Sequence, residues 1–131
     1  SAGEVISTTR DLDRFISALM GGRLLPPDLL ARMTTPSRFA PYGLGLEVLD
    51  AGPACGGVYF GHTGGIHGYQ SFMFSTPDRS KRLEVSLTTG TADLEDPAVA
   101  ARVQEAFNTL VLTAACGGTP ADARQLTPLM S

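Results

Sequence analysis

Gly57-Val58-Tyr59-Phe60-Gly61-His62-Thr63-Gly64-Gly65, followed by Tyr69-Gln70-Ser71-Phe72-Met73-Phe74, is the stretch that decides the fold. Residues 57–61 read as a short apolar strand and 69–75 as a second one. Between them, at the strand margin, stands His62-Thr63-Gly64-Gly65. Its parts suit an anion-binding, substrate-approachable edge. Glycine lets another backbone come close, the hydroxyl donates a hydrogen bond, and the imidazole carries charge or moves a proton.

Outward from this stretch the apolar period alternates. Tyr42, Leu44, Leu46 and Val48 fall on one side, with Gly43, Gly45 and Glu47 on the other. This predicts a strand with a glycine-lined face that another element approaches closely. Turns follow at 50–53 and 76–80, and Leu83, Val85 and Leu87 alternate in a fourth strand. Helical periodicity flanks the strands. Residues 8–20 predict a helix capped by Thr8 and Asp11, with Leu12, Phe15, Ile16 and Leu19 on its apolar face. Pro26-Pro27-Asp28 opens a shorter helix to about Met33. Asp96-Pro97 starts a long one, with Val99, Val103, Ala106, Phe107, Leu110, Val111 and Ala114 as its stripe. Residues 117–131 read as a weakly ordered tail. Helix, helix, four consecutive strands and a helix predict an α+β fold, an α/β-type sandwich whose antiparallel sheet is covered by helices. Leu/Val-rich strands need cover on both faces, so the segment reads as part of a larger sheet.

Composition bounds the function. The chain has 131 residues, 43% hydrophobic and 18% charged, with formal net charge -3, which describes a soluble globular domain rather than a nucleic-acid binder. No stretch is long enough to span a bilayer. No initiator Met or signal pattern opens the chain, and Ser1 reads as the start of a processed product or fragment. Two cysteines, Cys55 and Cys116, are either a disulfide or two buried thiols. A zinc site from Cys55, His62, His67 and Cys116 matches no standard ligand spacing. No cofactor motif occurs.

Four blocks in order carry a family resemblance: 1–12, Ser-Ala-Gly-Glu-Val-Ile-Ser-Thr-Thr-Arg-Asp-Leu; 42–46, Tyr-Gly-Leu-Gly-Leu; 61–64, Gly-His-Thr-Gly; and Gly68-Tyr69. Together they resemble the C-terminal half of a serine beta-lactamase or penicillin-binding-type hydrolase. The pattern is most similar to secreted D-alanyl-D-alanine carboxypeptidases that carry His-Thr-Gly where others carry Lys-Thr-Gly. The likeness runs over residues 1–116. It implies an acyl-enzyme mechanism with a Ser-x-x-Lys nucleophile and a Tyr-x-Asn proton-transfer motif. It implies that His62 supplies charge or proton traffic and that the Gly65 N–H is an oxyanion donor. Thr63 would bond the substrate carboxylate, and Gly64 would let the substrate lie along the strand. It also implies a Cys55–Cys116 disulfide and a secreted, extracellular setting at peptidoglycan.

Two departures matter. Neither Ser-x-x-Lys nor Tyr-x-Asn occurs in the chain. The expected partner is therefore an N-terminal polypeptide of the same hydrolase carrying both, in a two-chain enzyme acting on a peptide or acyl small molecule. Where the resemblance implies an arginine after the Tyr-Gly-Leu-Gly-Leu segment, the chain has Glu47. A carboxylate there repels an anionic terminus, so neutral esters, amides or amine-bearing substrates become expected. An acyltransferase or esterase on the same scaffold, and a non-catalytic fragment, are the alternatives. His67 reads as peripheral, Tyr59 and Tyr69 as packing residues, and Thr88-Thr89-Gly90 as a strand exit without the basic residue.

Overall fold

The computed structural model describes residues 3–88 and 96–117. Helices α1 (Thr9–Met20) and α2 (Pro27–Thr34) come first. Strands β1 (Glu47–Asp50), β2 (Val58–Ile66), β3 (Tyr69–Ser75) and β4 (Arg82–Thr88) follow, with a 3-10 turn at Pro53–Cys55 between β1 and β2. Helix α3 (Pro97–Cys116) closes the described chain. The strands form one antiparallel sheet in the order β1-β2-β3-β4, so the expected α+β architecture is present.

Helix boundaries follow local chemistry. The Thr8 hydroxyl accepts the Asp11 amide, and the Asp96 carboxylate accepts the Ala98 amide, each satisfying a donor that the first turn leaves open. Pro27 and Pro97 fill first-turn positions that need no N–H donor. Gly117 ends α3 in the left-handed region at φ 64°.

Opposite helices cover the two faces of the sheet. On one, Tyr59, Phe72 and Phe74 pack against Phe107, Val111 and Ala115 of α3. Phe72 stacks on Phe74 with ring centroids 4.2 Å apart and meets Phe107 edge-on at 5.8 Å. Such pairs contribute about 0.5–1.5 kcal/mol each beyond the area they bury. On the other face, Ile16, Leu19 and Met20 of α1 pack with Leu46, Phe60 and Met73. Strand alternation sorts the residues. Phe60, His62, Met73 and Glu84 face α1, while Tyr59, Gly61, Thr63, Phe72, Phe74 and Val85 face α3.

Four expectations are corrected. Residues 42–46 are not a strand. Gly43 lies against the Met33 carbonyl, where an added Cβ would come within 2.0 Å, and Gly45 turns the chain at φ 77°. Only 47–50 pair with β2; the glycines mimic strand alternation while serving close approach and a turn. The His-Thr-Gly motif lies inside a nine-residue strand rather than at its margin. The stripe of α3 is rotated: Phe107, Val111, Leu112 and Ala115 are buried, while Ala106, Leu110 and Ala114 are exposed. Phe15 of α1 is likewise half-exposed, at 48%. The tail expected at 117–131 lies, but for Gly117, outside the described residues.

Cys55 and Cys116 form a disulfide across 61 residues of sequence, which excludes the zinc reading of these positions. Lys81 reinforces the junction: its Nζ donates to the Ala115 carbonyl at 2.8 Å and the Cys55 carbonyl at 3.3 Å. A cation there also faces the negative end of α3. Buried Tyr59 donates to the Cys55 carbonyl at 2.7 Å, and burial pushes its phenol pKa upward. Replacing both cysteines by alanine is expected to cost about 3–4 kcal/mol. Denaturant unfolding of the variant, against the wild type with and without reductant, measures that cost.

Glu84 is a polar group of the sheet whose burial is costly. It sits under α1, its Oε1 is buried without a partner, and burial and the nearby Asp13 raise its pKa from 4.5 to about 7. Between these values the folded state holds a proton that the unfolded chain has released, so the contribution of Glu84 to stability is greatest below about pH 4.5 and declines towards pH 7. Allowing for solvent screening, the decline is about 1 kcal/mol. Glu84→Gln is expected to abolish that slope; urea midpoints at pH 4.5, 6 and 8 that fall as steeply in the variant would refute this assignment.

Candidate active site

The site begins with a mismatch in strand length. β1 pairs with β2 only from Val58 to Gly61, whereas β3 follows β2 from Phe60 to Ile66. Among the described residues, His62 to Ile66 thus pair with a strand on one side only. Along that open edge Thr63 turns its N–H outward, to a Glu47 carboxylate oxygen 3.1 Å away. Antiparallel strands alternate the direction of their amides, so the Gly65 N–H points the same way. An added Cβ at Gly65 meets nothing within 4 Å. The open edge thus offers a repeated donor beside a glycine that blocks nothing.

Side chains converge on the start of this edge. Glu47 Oε1 accepts the Thr63 hydroxyl at 2.7 Å as well as the Thr63 amide, and lies 3.4 Å from His62 Nδ1. His62 Nδ1 also contacts the Thr63 carbonyl. Both of these Nδ1 neighbours are acceptors, which places a proton on Nδ1. In the neutral ring Nε2 then accepts the Tyr42 hydroxyl, 2.8 Å away. The Tyr42 and His62 rings meet edge-on at 5.7 Å. His62 is thereby held at both nitrogens, between a phenol and a carboxylate.

All four expected motif residues lie on this edge, but not for identical reasons. His62, Gly64 and Gly65 are exposed and Thr63 is half-buried. Gly64 has a structural reason to lack a side chain: an added Cβ would come within 2.5 Å of the Ser71 hydroxyl on β3. Gly61 is needed for the same kind of reason, with the Met73 carbonyl 1.9 Å from its notional Cβ. His67 stands apart in the two-residue turn to β3, exposed, as expected. Tyr59 is a packing residue. Thr88 ends β4, and Thr89-Gly90 lie outside the described residues.

Tyr42 is the residue that strand reasoning missed. As part of an alternating pattern it read as one side of a strand, yet the 42–46 loop delivers its hydroxyl to His62. The signal lay in the Gly43 and Gly45 pair, which marks a bend as readily as a face. Beside the Thr63–Glu47 pair is an open cavity of about 400 Å³, lined by Pro41, Tyr42, Val48, Leu49, Phe72 and Phe74 among others. Among the described residues no cluster of His, Cys, Asp or Glu suits a metal ion, and no helix is long and apolar enough to cross a membrane.

The described edge thus combines outward amides, a hydroxyl and an imidazole held at both nitrogens. Comparison with known proteins gives the family. The chain resembles a D-stereospecific amidohydrolase from Streptomyces sp., with 40% sequence identity and a TM-score of 0.57 over 65% of this chain. The likeness covers 26% of that protein's chain, so the present sequence spans about a quarter of its length. The Beta-lactamase family profile matches residues 1–109, which takes in α1, α2, the whole sheet and most of α3. With the motif, the fold and that match in agreement, the chain belongs to the Beta-lactamase family, whose serine hydrolases include the penicillin-recognising enzymes.

Proposed function

We propose that this chain forms the His-Thr-Gly wall of a serine acyl-enzyme hydrolase, D-Ala-D-Ala carboxypeptidase-like in mechanism. The observation that carries this reading is the unpaired edge of β2, with its outward Thr63 and Gly65 amides and Thr63 hydroxyl. The nucleophile comes from an N-terminal segment of the same hydrolase carrying Ser-x-x-Lys, with Tyr-x-Asn for proton transfer. The disulfide favours an oxidising compartment, and we place the enzyme outside the cytoplasm, with acyl-D-Ala-type amides or related esters as substrates.

In this scheme the serine oxygen bonds to the scissile carbonyl carbon and its proton passes to the base. The carbonyl oxygen becomes an oxyanion held by the Gly65 N–H and the serine's own amide. Collapse breaks the bond to the leaving amine or alkoxide, which takes up the proton. Water then attacks the acyl-enzyme and releases the acid. His62 lies on the same wall. Its Nε2 lies within hydrogen-bond distance of the Tyr42 hydroxyl and its Nδ1 lies 3.4 Å from Glu47, contacts that hold the ring where it would supply charge or relay a proton. A second reading, acyl transfer or ester hydrolysis on the same scaffold, draws on Glu47. Product analysis with and without an added amine separates water from amine as the group that resolves the acyl-enzyme.

Gly65→Pro deletes the proposed oxyanion donor. The Gly65 N–H points away from β3, so no ladder bond is lost, and the space around Cα is open. With this chain joined to its Ser-x-x-Lys segment, and a neutral acyl-D-Ala nitrophenyl ester as substrate, acylation is expected to slow by about 10²–10³ in this variant. Gly65→Ala keeps the donor and serves as the control. An unchanged nitrophenol burst in Gly65→Pro would remove Gly65 from the mechanism. Tyr42→Phe, which strips His62 Nε2 of its partner, is expected to lower the same rate at least about tenfold. A rate equal to wild type would reduce Tyr42 to a packing role.

A further inference from the structure

Glu47 occupies the two donors that the family resemblance would assign to a substrate's carboxylate. Both the Thr63 amide and the Thr63 hydroxyl donate to its Oε1, at 3.1 and 2.7 Å. An anionic terminus seeking Thr63 would have to displace one carboxylate and then lie beside it. His62 Nδ1, the nearby group able to carry positive charge, is itself engaged with the Thr63 carbonyl and with Glu47. Among the described residues no hydrogen bond reaches Glu47 Oε2. The rim therefore presents an acceptor where a carboxylate-binding site needs donors.

We propose that Glu47 is the specificity-determining residue of the site, selecting substrates that end in a carboxamide over those that end in a carboxylate. The inference rests on the hydrolase reading above and narrows it to amide-ended substrates. A terminal carboxamide donates its N–H to Glu47 Oε2 and leaves the Thr63–Oε1 bonds in place. A terminal carboxylate donates nothing and places like charges side by side, which opposes binding strongly where water is excluded. The adjoining cavity supports the assignment. Pro41, Val48, Leu49, Phe72 and Phe74 give it an apolar lining beside Glu47 and Thr63. It seats the side chain of the residue that bears the carboxamide.

The test uses the enzyme joined to its Ser-x-x-Lys segment and two peptides, acyl-D-Ala-D-Leu and acyl-D-Ala-D-Leu-amide, alike except at the terminus. Wild type is expected to favour the amide by at least about tenfold in kcat/KM, and Glu47→Gln to narrow the ratio. Glu47→Arg is expected to invert it. Acylation by a labelled penicillin, which carries a carboxylate, is expected to be slow in wild type and faster in Glu47→Arg. Equal or better turnover of the carboxylate peptide by wild type would overturn the proposal, as would a ratio indifferent to both substitutions. If neither peptide is cleaved, their competition against the neutral nitrophenyl ester gives the same ranking or refutes it. A folded protein that the neutral ester fails to acylate would instead overturn the hydrolase reading itself, and Glu47's role with it.

Discussion

The pairing of β2 with β1 ends at Gly61, and the rest of the site depends on where it ends. Had β1 run on alongside Thr63 to Ile66, its backbone would have consumed the outward amides, leaving no edge for a substrate. Instead the glycine-broken segment at 42–46 turns away, closes on Met33 and returns Tyr42 to His62. A strand edge left bare invites pairing with another chain. Here the bareness is confined to a few residues, and one of their amides is answered by the Glu47 side chain rather than by backbone.

That edge needs a rigid strand behind it. β2 is held on its inner side by the full length of β3 and on its two faces by separate cores, one under α1 and one under α3. The disulfide and Lys81 fix the end of α3 to the 3-10 turn that leads into β2. Buried Phe72 and Phe74 oppose Thr63 and Gly61 in register, so the core that stabilises the sheet also forms the floor of the cavity beside the site. Packing and site geometry are thus one set of residues.

Much of this was legible in the sequence. Thr8 with Asp11, Pro27, Asp96 with Pro97, and Gly117 mark helix ends by chemistry that acts within a few residues, and each marks its boundary. The alternation of Leu83, Val85 and Leu87 marked the faces of β4. The failures arose where tertiary contacts decide. Glycine at every second position imitates a strand, but Gly43 answers to the Met33 carbonyl on α2, a contact that the alternating pattern does not reveal. In α3 the apolar residues outnumber those one face requires, so only the packed structure selects Phe107 and Val111 over Leu110. For the site, the motif pointed to the edge and Glu47 stood out by its charge. The two hydrogen bonds that it accepts from Thr63 and the Tyr42–His62 contact depend on pairing register and a loop, which local pattern does not encode.

In the proposed mechanism the open edge of β2 receives the reacting carbonyl. The most direct measurement is the amide spectrum of the 15N-labelled enzyme, with its Ser-x-x-Lys segment, on titration with a neutral boronic acid that forms a tetrahedral adduct on the serine. A large downfield shift of the Gly65 amide proton is expected as the adduct's oxygen accepts its hydrogen bond. The Thr63 amide, already bonded to Glu47, should move little. A stoichiometric serine adduct that leaves the Gly65 resonance in place would contradict the claim.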